Sequence, residues 1–303
     1  VGLSAPAFQV LAQPPVRSAD PEAAISEEFV VHGRLPGPAW WTVSKGESKV
    51  YILGIPGSLP KGMAWNTSVL ERRLQGANAL IGRPMVTANL GDLFSLAKLH
   101  TNTPMEASLS PALRTRLAET EARVGLDPGH YRHWIAIVAG LQLVLDYRAQ
   151  QKLATAEPGA SVEKMARHEG LKVTPAGVYK AGALMKAIAP PMGAVGDVCI
   201  ADALDEIDAG ADGPRAAAIG WANGDPQAAL AEGRGYEKCV NALPEGADLA
   251  RRAMEDTASA ITAALAKPGH SVAVVNLRTL LARDGVLQQL RARGYTIRTP
   301  QDD

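Results

Sequence analysis

The run Val50-Tyr51-Ile52-Leu53-Gly54-Ile55-Pro56-Gly57-Ser58-Leu59-Pro60-Lys61-Gly62 does most to limit what this chain can become. Val50 to Ile55 is apolar and rich in β-branched and aromatic side chains, which fit a pleated, buried strand. Pro56, Gly57, Pro60 and Gly62 then break it, because proline cannot donate to a ladder and glycine adopts turn conformations closed to other residues. Shortly afterwards Ser68 and Glu71 stand at capping-box spacing ahead of Val69, Leu70, Leu74 and Ala77, an apolar stripe of helical period. A strand that passes through a tight turn toward a helix opens an α/β unit.

The flanking residues extend that unit in both directions. Trp40-Trp41-Thr42-Val43 and Lys49 to Leu53 are strand-like runs around the polar turn Ser44-Lys45-Gly46-Glu47, a predicted β-hairpin, and Ala79-Leu80-Ile81 is a short strand. The middle reads as helical. Ser110-Pro111 places an N-cap before a proline at the first helical position, with Leu113, Leu117 and Val124 as the apolar stripe and Gly125 as the stop. A long helix is predicted from His130 to Leu153 and a shorter one from Val162 to His168, ended by Gly170. Val198 to Leu243 reads as a helical hairpin around Gly210-Ala211-Asp212-Gly213-Pro214. After a helix from Asp248 to Lys267, Ser271 to Val275 is a buried strand, Asp284 caps a helix through Arg293, and Tyr295 to Arg298 is a final strand.

Strands near both ends with helices between them predict an α/β fold: a central mixed sheet formed by N- and C-terminal strands, carrying a large helical insertion at about 105–267. Residues 1–36, rich in Pro and Ala with little periodicity, are expected to be a flexible segment ahead of one folded domain, 37–303. The Pro/Ala-rich opening is of the kind that follows a removed signal peptide.

Composition removes several function classes. The 31 basic and 31 acidic residues cancel, so no net field gathers nucleic acid or an anionic membrane. Aromatic residues make up 5% and are not interleaved with Lys and Arg as a stacking platform for single strands requires. The longest apolar stretch, Trp134 to Leu145, contains Gln142 and is well short of the ~20 residues that span a bilayer, so it reads as a buried helix and no transmembrane segment is expected. An apolar patch across the helical segments would read as core, so the oligomeric state stays open. The two cysteines, Cys199 and Cys239, fit either two buried thiols or a disulfide, and their spacing leaves both open.

The stretches Tyr51 to Trp65, Trp221-Ala222-Asn223-Gly224-Asp225, and Asp284-Gly285-Val286 through Arg291-Ala292-Arg293-Gly294-Tyr295 closely resemble the framework motifs of the TraB/GumN (Tiki-like) family. The resemblance runs from about Pro38 to Arg298. It implies a site at strand ends built from a Gly-x-x-His in the turn after the second strand, a Glu after the first helix and a second Gly-x-x-His near the C-terminus. Two imidazoles and a carboxylate of this kind suit a divalent metal with a position open for water. In this sequence those positions are Gly57, Arg83 and Thr279, and none can take the implied role. A guanidinium has no lone pair to give and repels a cation, so Arg83 inverts the charge of the pocket. Two further motifs depart from the family pattern, at Thr174-Pro175-Ala176-Gly177 and Ala250-Arg251-Arg252-Ala253.

What remains is a vestigial pocket expected at Gly54, Gly57, Arg83, Asn276, Arg278 and Thr279, with no metal and no cofactor. In one reading Arg83 and Arg278 turn this pocket into an anion site; in the other, Arg83 pairs with a nearby carboxylate and the pocket is filled. The resemblance also implies a Cys199–Cys239 bridge across a helical hairpin, in a protein exported to a periplasmic or extracellular compartment. The function expected is that of a catalytically degenerate member acting by binding, with a protein partner or a small anionic ligand, or as part of an envelope or extracellular assembly. The alternative is an active, peptidase-like metal-dependent hydrolase with relocated ligands.

Other chemistry-bearing residues give weaker signals. His130 and His133 would share a helix face at i, i+3 but lack an acidic partner nearby. His168-Glu169 lacks the second histidine of a zincin helix, and Ser58 lacks a Gly-x-Ser-x-Gly elbow. Asp202, Glu206 and Asp208 are close enough to form a paired-carboxylate site, or a solvated acidic face.

Overall fold

The structure, a computed structural model, describes residues 25, 37–89, 99–155, 158–182, 193–231, 237–243, 246–300 and 302. The expected N-terminal segment 1–36 therefore lies outside the described residues, apart from Ile25, which bridges to Ala282. The chain begins with β1 (Trp40–Lys45), β2 (Ser48–Ile55), β3 (Leu59–Pro60), α1 (Ser68–Leu74), β4 (Leu80–Gly82) and β5 (Met85–Thr87). A short 3-10 turn, Met105–Ser108, leads to α2 (Pro111–Arg123), α3 (Ala136–Gln150), β6 (Leu153–Ala154), α4 (Gly159–His168), β7 (Val173–Pro175) and β8 (Val178–Lys180). Then come α5 (Gly193–Ala209), α6 (Asp212–Ala222), α7 (Pro226–Leu230), α8 (Glu237–Ala242) and α9 (Gly246–Ala264). The chain closes with β9 (His270–Asn276), α10 (Leu277–Leu281), α11 (Val286–Ala292) and β10 (Thr296–Arg298).

The main sheet has the order β10-β1-β2-β9-β4-β7. The predicted hairpin forms as an antiparallel β1–β2 pair, with Gly46 at φ +57 in its turn, and β10 adds antiparallel to β1. β9 runs parallel to both β2 and β4, and β7 runs parallel to β4 on the far side. The sheet is thus mixed and drawn from both ends of the chain, as expected, with one extra strand, β7, from the middle. Strands of two or three residues such as β3, β6 and β7 are too short to show a period of two, which is why the middle read as purely helical.

Two apolar clusters result. In the first, Trp41, Ile52, Leu53 and the β9 residues Val272 to Val275 pack with Leu70 and Leu74 of α1, Ile261 of α9 and Leu290 of α11. In the second, Leu117 of α2, Leu143 and Val144 of α3 and Ile200 and Leu204 of α5 cluster with the Cys199–Cys239 disulfide, which joins α5 to α8 and whose two residues are fully buried. Burying each large side chain of this kind is worth about 1.5–3 kcal/mol.

Several boundaries differ from the sequence reading. Helix α3 starts at Ala136, not His130. Gly129 at φ +74 turns the chain, Tyr131 is buried with its hydroxyl donating to Asp146 (2.8 Å), and Trp134 and Ile135 are held by residues about a third of a hundred positions upstream through the His100–Trp134 bridge and the Leu99 carbonyl. Leu153 leaves the helix to pair with Pro60. The N-cap of α1 is Thr67, one residue early, because Asn66 accepts from the Ser68 N–H (3.0 Å) and Thr67 donates to Glu71 (2.6 Å). Gly285, not Asp284, precedes α11: a Cβ there would sit 2.5 Å from the Thr279 carbonyl, so the close approach of two backbones requires glycine. Ser110 caps α2 as predicted, accepting from the Leu113 N–H (3.4 Å).

Candidate functional site

Three neighbouring parallel strands, in the order β2, β9, β4, bring Gly57, Asn276 to Thr279 and Arg83 just beyond their C-terminal ends. Gly57 is exposed in the turn after β2, whereas Ser58 is buried, 1% exposed, which keeps its hydroxyl from the surface a nucleophile needs. Asn276 serves as the N-cap of α10: its side-chain oxygen accepts from the N–H groups of Arg278 (3.0 Å) and Thr279 (3.3 Å). The Arg278 guanidinium donates to the Leu230 carbonyl (2.6 Å), placing a cation at the C-terminal end of α7, where the helix dipole favours one.

Gly54 explains how the end of β2 is filled. A Cβ on it would come within 2.6 Å of Leu277 and 2.9 Å of Trp41, so α10 packs directly on the strand backbone. The Gly54 carbonyl accepts from the Trp221 indole (2.7 Å), and the Trp221 ring meets that of Trp65 in a tilted contact with centroids 5.1 Å apart. The motif Trp221-Ala222-Asn223-Gly224-Asp225 is therefore a clamp. Trp221 ties α6 to β2, Gly224 at φ +73 turns the chain, and Asp225 caps α7 by accepting from the Ala228 N–H (3.0 Å).

Half-buried Arg83 follows β4 and lays its guanidinium over the first residue of α4: a Cβ on Gly159 would be 2.8 Å from the Arg83 Nε. The nearby Glu163 binds Arg167 (2.8 Å). The expected pocket residues thus fall at one end of the sheet, with Asn276 and Arg278 engaged in helix capping and Gly54 in close packing.

Residues 39–299, most of the chain, match the profile of the TraB/PrgY/gumN family. The chain belongs to that family. No curated protein and no solved structure matches it. In this TraB/PrgY/gumN member no helix among the described residues is long and apolar enough to cross a membrane.

The remaining candidates of the TraB/PrgY/gumN chain are also accounted for. His130 and His133 are exposed on a turn, not on a helix face, so the i, i+3 chelating geometry does not form. Among the described residues no group of three or more His, Cys, Asp and Glu could hold a metal ion. The acidic face of α5 is neutralised: Asp202 accepts from the Cys239 N–H (3.0 Å), Glu206 pairs with Arg148 (2.6 Å), and Asp208 pairs with Arg116 and with Arg123 (2.6 Å). Burial pushes the Glu206 carboxyl up, with Arg148 opposing, while hydrogen bonds from Arg116 and Arg123 hold Asp208 below the ordinary carboxylate range.

A lowered folded-state value means that the Asp208 cluster stabilises the protein above the ordinary value of 3.8 and that this stability is lost as pH falls below it. Asp208→Asn is expected to flatten the acid limb of stability against pH in denaturant titrations; an unchanged limb would show that the cluster contributes nothing.

At the opposite, N-terminal ends of β2 and β9 a cleft of about 500 Å³ is lined by Lys49, Arg72, Arg73, His270 and Arg298 among others. The sequence reading missed it, although the alternation of polar and apolar residues in β1 and β2 carried the signal.

Proposed function

We propose that this TraB/PrgY/gumN protein is a catalytically degenerate member that is exported and acts by binding, as a component of an envelope or extracellular assembly. The observation that carries this reading is the end of β4, where a half-buried arginine occupies the position at which the family resemblance places a carboxylate ligand. A guanidinium there disfavours a cation and offers no lone pair to one. The use of Asn276 and Arg278 as caps and the packing of Leu277 on Gly54 support it, because groups held in this way are not available to a reacting centre. The buried Cys199–Cys239 disulfide supports export, since such bonds persist in oxidising compartments.

The test is the metal content of protein purified without a metal-affinity tag, together with assays of peptide hydrolysis. The expected result is zinc, manganese, iron and copper far below one equivalent and no hydrolysis. Near-stoichiometric metal, with peptide cleavage that disappears on chelation, would establish the alternative of an active hydrolase with relocated ligands.

A further inference from the structure

We propose that the cleft at the N-terminal ends of β2 and β9 binds a small polyanion, a solute carrying two or more phosphate, sulfate or carboxylate groups. The site is separate from the strand ends considered above and does not depend on whether the protein is catalytic.

The sheet register builds the floor. In the antiparallel pairs Ser44 lies between Thr296 and Lys49, and Lys49 pairs in turn with His270 of β9, forming one cross-strand row of polar side chains. The adjacent row on the same face is Arg298, Thr42 and Tyr51. The alternate residues Val43, Val50 and Ile52 point the other way and are fully buried. One face of this antiparallel part of the sheet is therefore core and the other is polar, the pattern of an antiparallel sheet open to water on one side.

Helix α1 supplies the wall. It packs against β9, and its last turn brings Arg72 and Arg73 to the cleft. Arg73 is not loose: its guanidinium lies 4.5 Å over the Trp40 ring and 4.4 Å over the Tyr51 ring, which stiffens a planar donor at the rim. His270 is fixed as well. Its Nε2 lies 3.0 Å from the Arg73 carbonyl, and because a carbonyl only accepts, Nε2 carries the proton. Tyr51 meets the His270 ring edge-on at 5.6 Å.

The charge balance gives the ligand class. Lys49, Arg72 and Arg298 bring three positive charges to the cleft beside Arg73, and among its described lining residues there is no carboxylate. Asp302, near Arg298 along the C-terminal chain, accepts from the N–H and hydroxyl of Thr299 (2.7 and 3.0 Å) and feels the Arg298 charge only as a minor influence. In a chain of zero net charge such a concentration of one sign is local, and it draws an anion of matching charge. Hydroxyls from Thr42, Ser44 and Thr296 add neutral donors on the floor. A volume of about 500 Å³ suits a small molecule of a few charged groups.

Calorimetric titration with inorganic pyrophosphate and, separately, with citrate tests the proposal. The wild-type chain is expected to bind one or both at one site per chain, with affinity that falls as salt rises. Binding of both means that charge is read; binding of pyrophosphate alone or citrate alone means that the shape of the oxyanion is read as well. Lys49→Glu and Arg298→Glu change exposed residues, are expected to unfold at the wild-type midpoint, and should each weaken binding about tenfold or more. The proposal is overturned if neither anion binds the wild type, or if both variants, folded as the wild type, bind as tightly as it does.

Discussion

Trp221→Ala is expected to destabilise the protein by about 3–5 kcal/mol, the range for truncating a large buried aromatic side chain. Trp221 is 2% exposed, so nearly its whole ring would be replaced by cavity, and its indole N–H is the donor to the Gly54 carbonyl (2.7 Å) at the end of the central strand β2. Trp65, whose ring packs against it at a tilt, would lose that contact. Trp221→Phe separates the two contributions: it keeps most of the packing and removes the donor, at an expected cost of about 1–3 kcal/mol for a buried carbonyl left without it. Urea titration of the three proteins is the measurement. If alanine costs no more than phenylalanine, the packing of α6 on the sheet is not what the tryptophan supplies, and the clamp described above is wrong.

The second large effect is expected from the Cys199→Ser, Cys239→Ser double variant, which should lose about 4 kcal/mol on the chain-entropy account of a closed loop. The bridge spans 40 residues and ties α8 to α5. Helix α8 has only 6 residues, too few to be stable alone. Asp202 at the Cys239 N–H and Asp205 at Lys238 (3.0 Å) hold the same junction, so the variant should remain folded with a lower denaturation midpoint. Reduction of the wild type should shift the midpoint by a similar amount, and equal stability of oxidised, reduced and double-variant protein would deny the bridge a stabilising role.

What could be read in the sequence was whatever is encoded within about a dozen residues. The Trp40–Ile55 hairpin follows from two strand-like runs on either side of a polar turn that contains glycine. Ser110-Pro111 marks a helix start by its own chemistry. The start of α3 was misread because the residues that hold His130 to Ile135 off the helix, Leu99, His100 and Asp146, are distant in sequence or reach back from a later turn. The family's framework motifs were legible as patterns, but their purpose needed the fold: only with α6 beside β2 does Trp221 become the donor to Gly54. The basic cleft shows the same limit. Thr42, Ser44, Lys49 and Tyr51 declare a polar face locally, yet Arg298 joins them only because β10 returns to pair with β1, and Arg72 and Arg73 only because α1 lies across β9.

The placement of β9 governs the order in which this protein can be assembled. Residues 270–276 lie between β2 and β4, which come from the first third of the chain. Until they arrive, the β1–β2 hairpin and the β4–β7 pair are two half-sheets, each with an unpaired inner edge, and the edge of β2 is the apolar run Val50 to Ile55. Edges of this kind are templates for wrong pairing, and contacts of such long sequence separation form slowly. The helical cluster around α5, by contrast, is built from nearer neighbours and can condense first. Completion of the sheet thus waits for residues 270–276, and until they arrive the nascent chain depends on whatever shields the β2 edge.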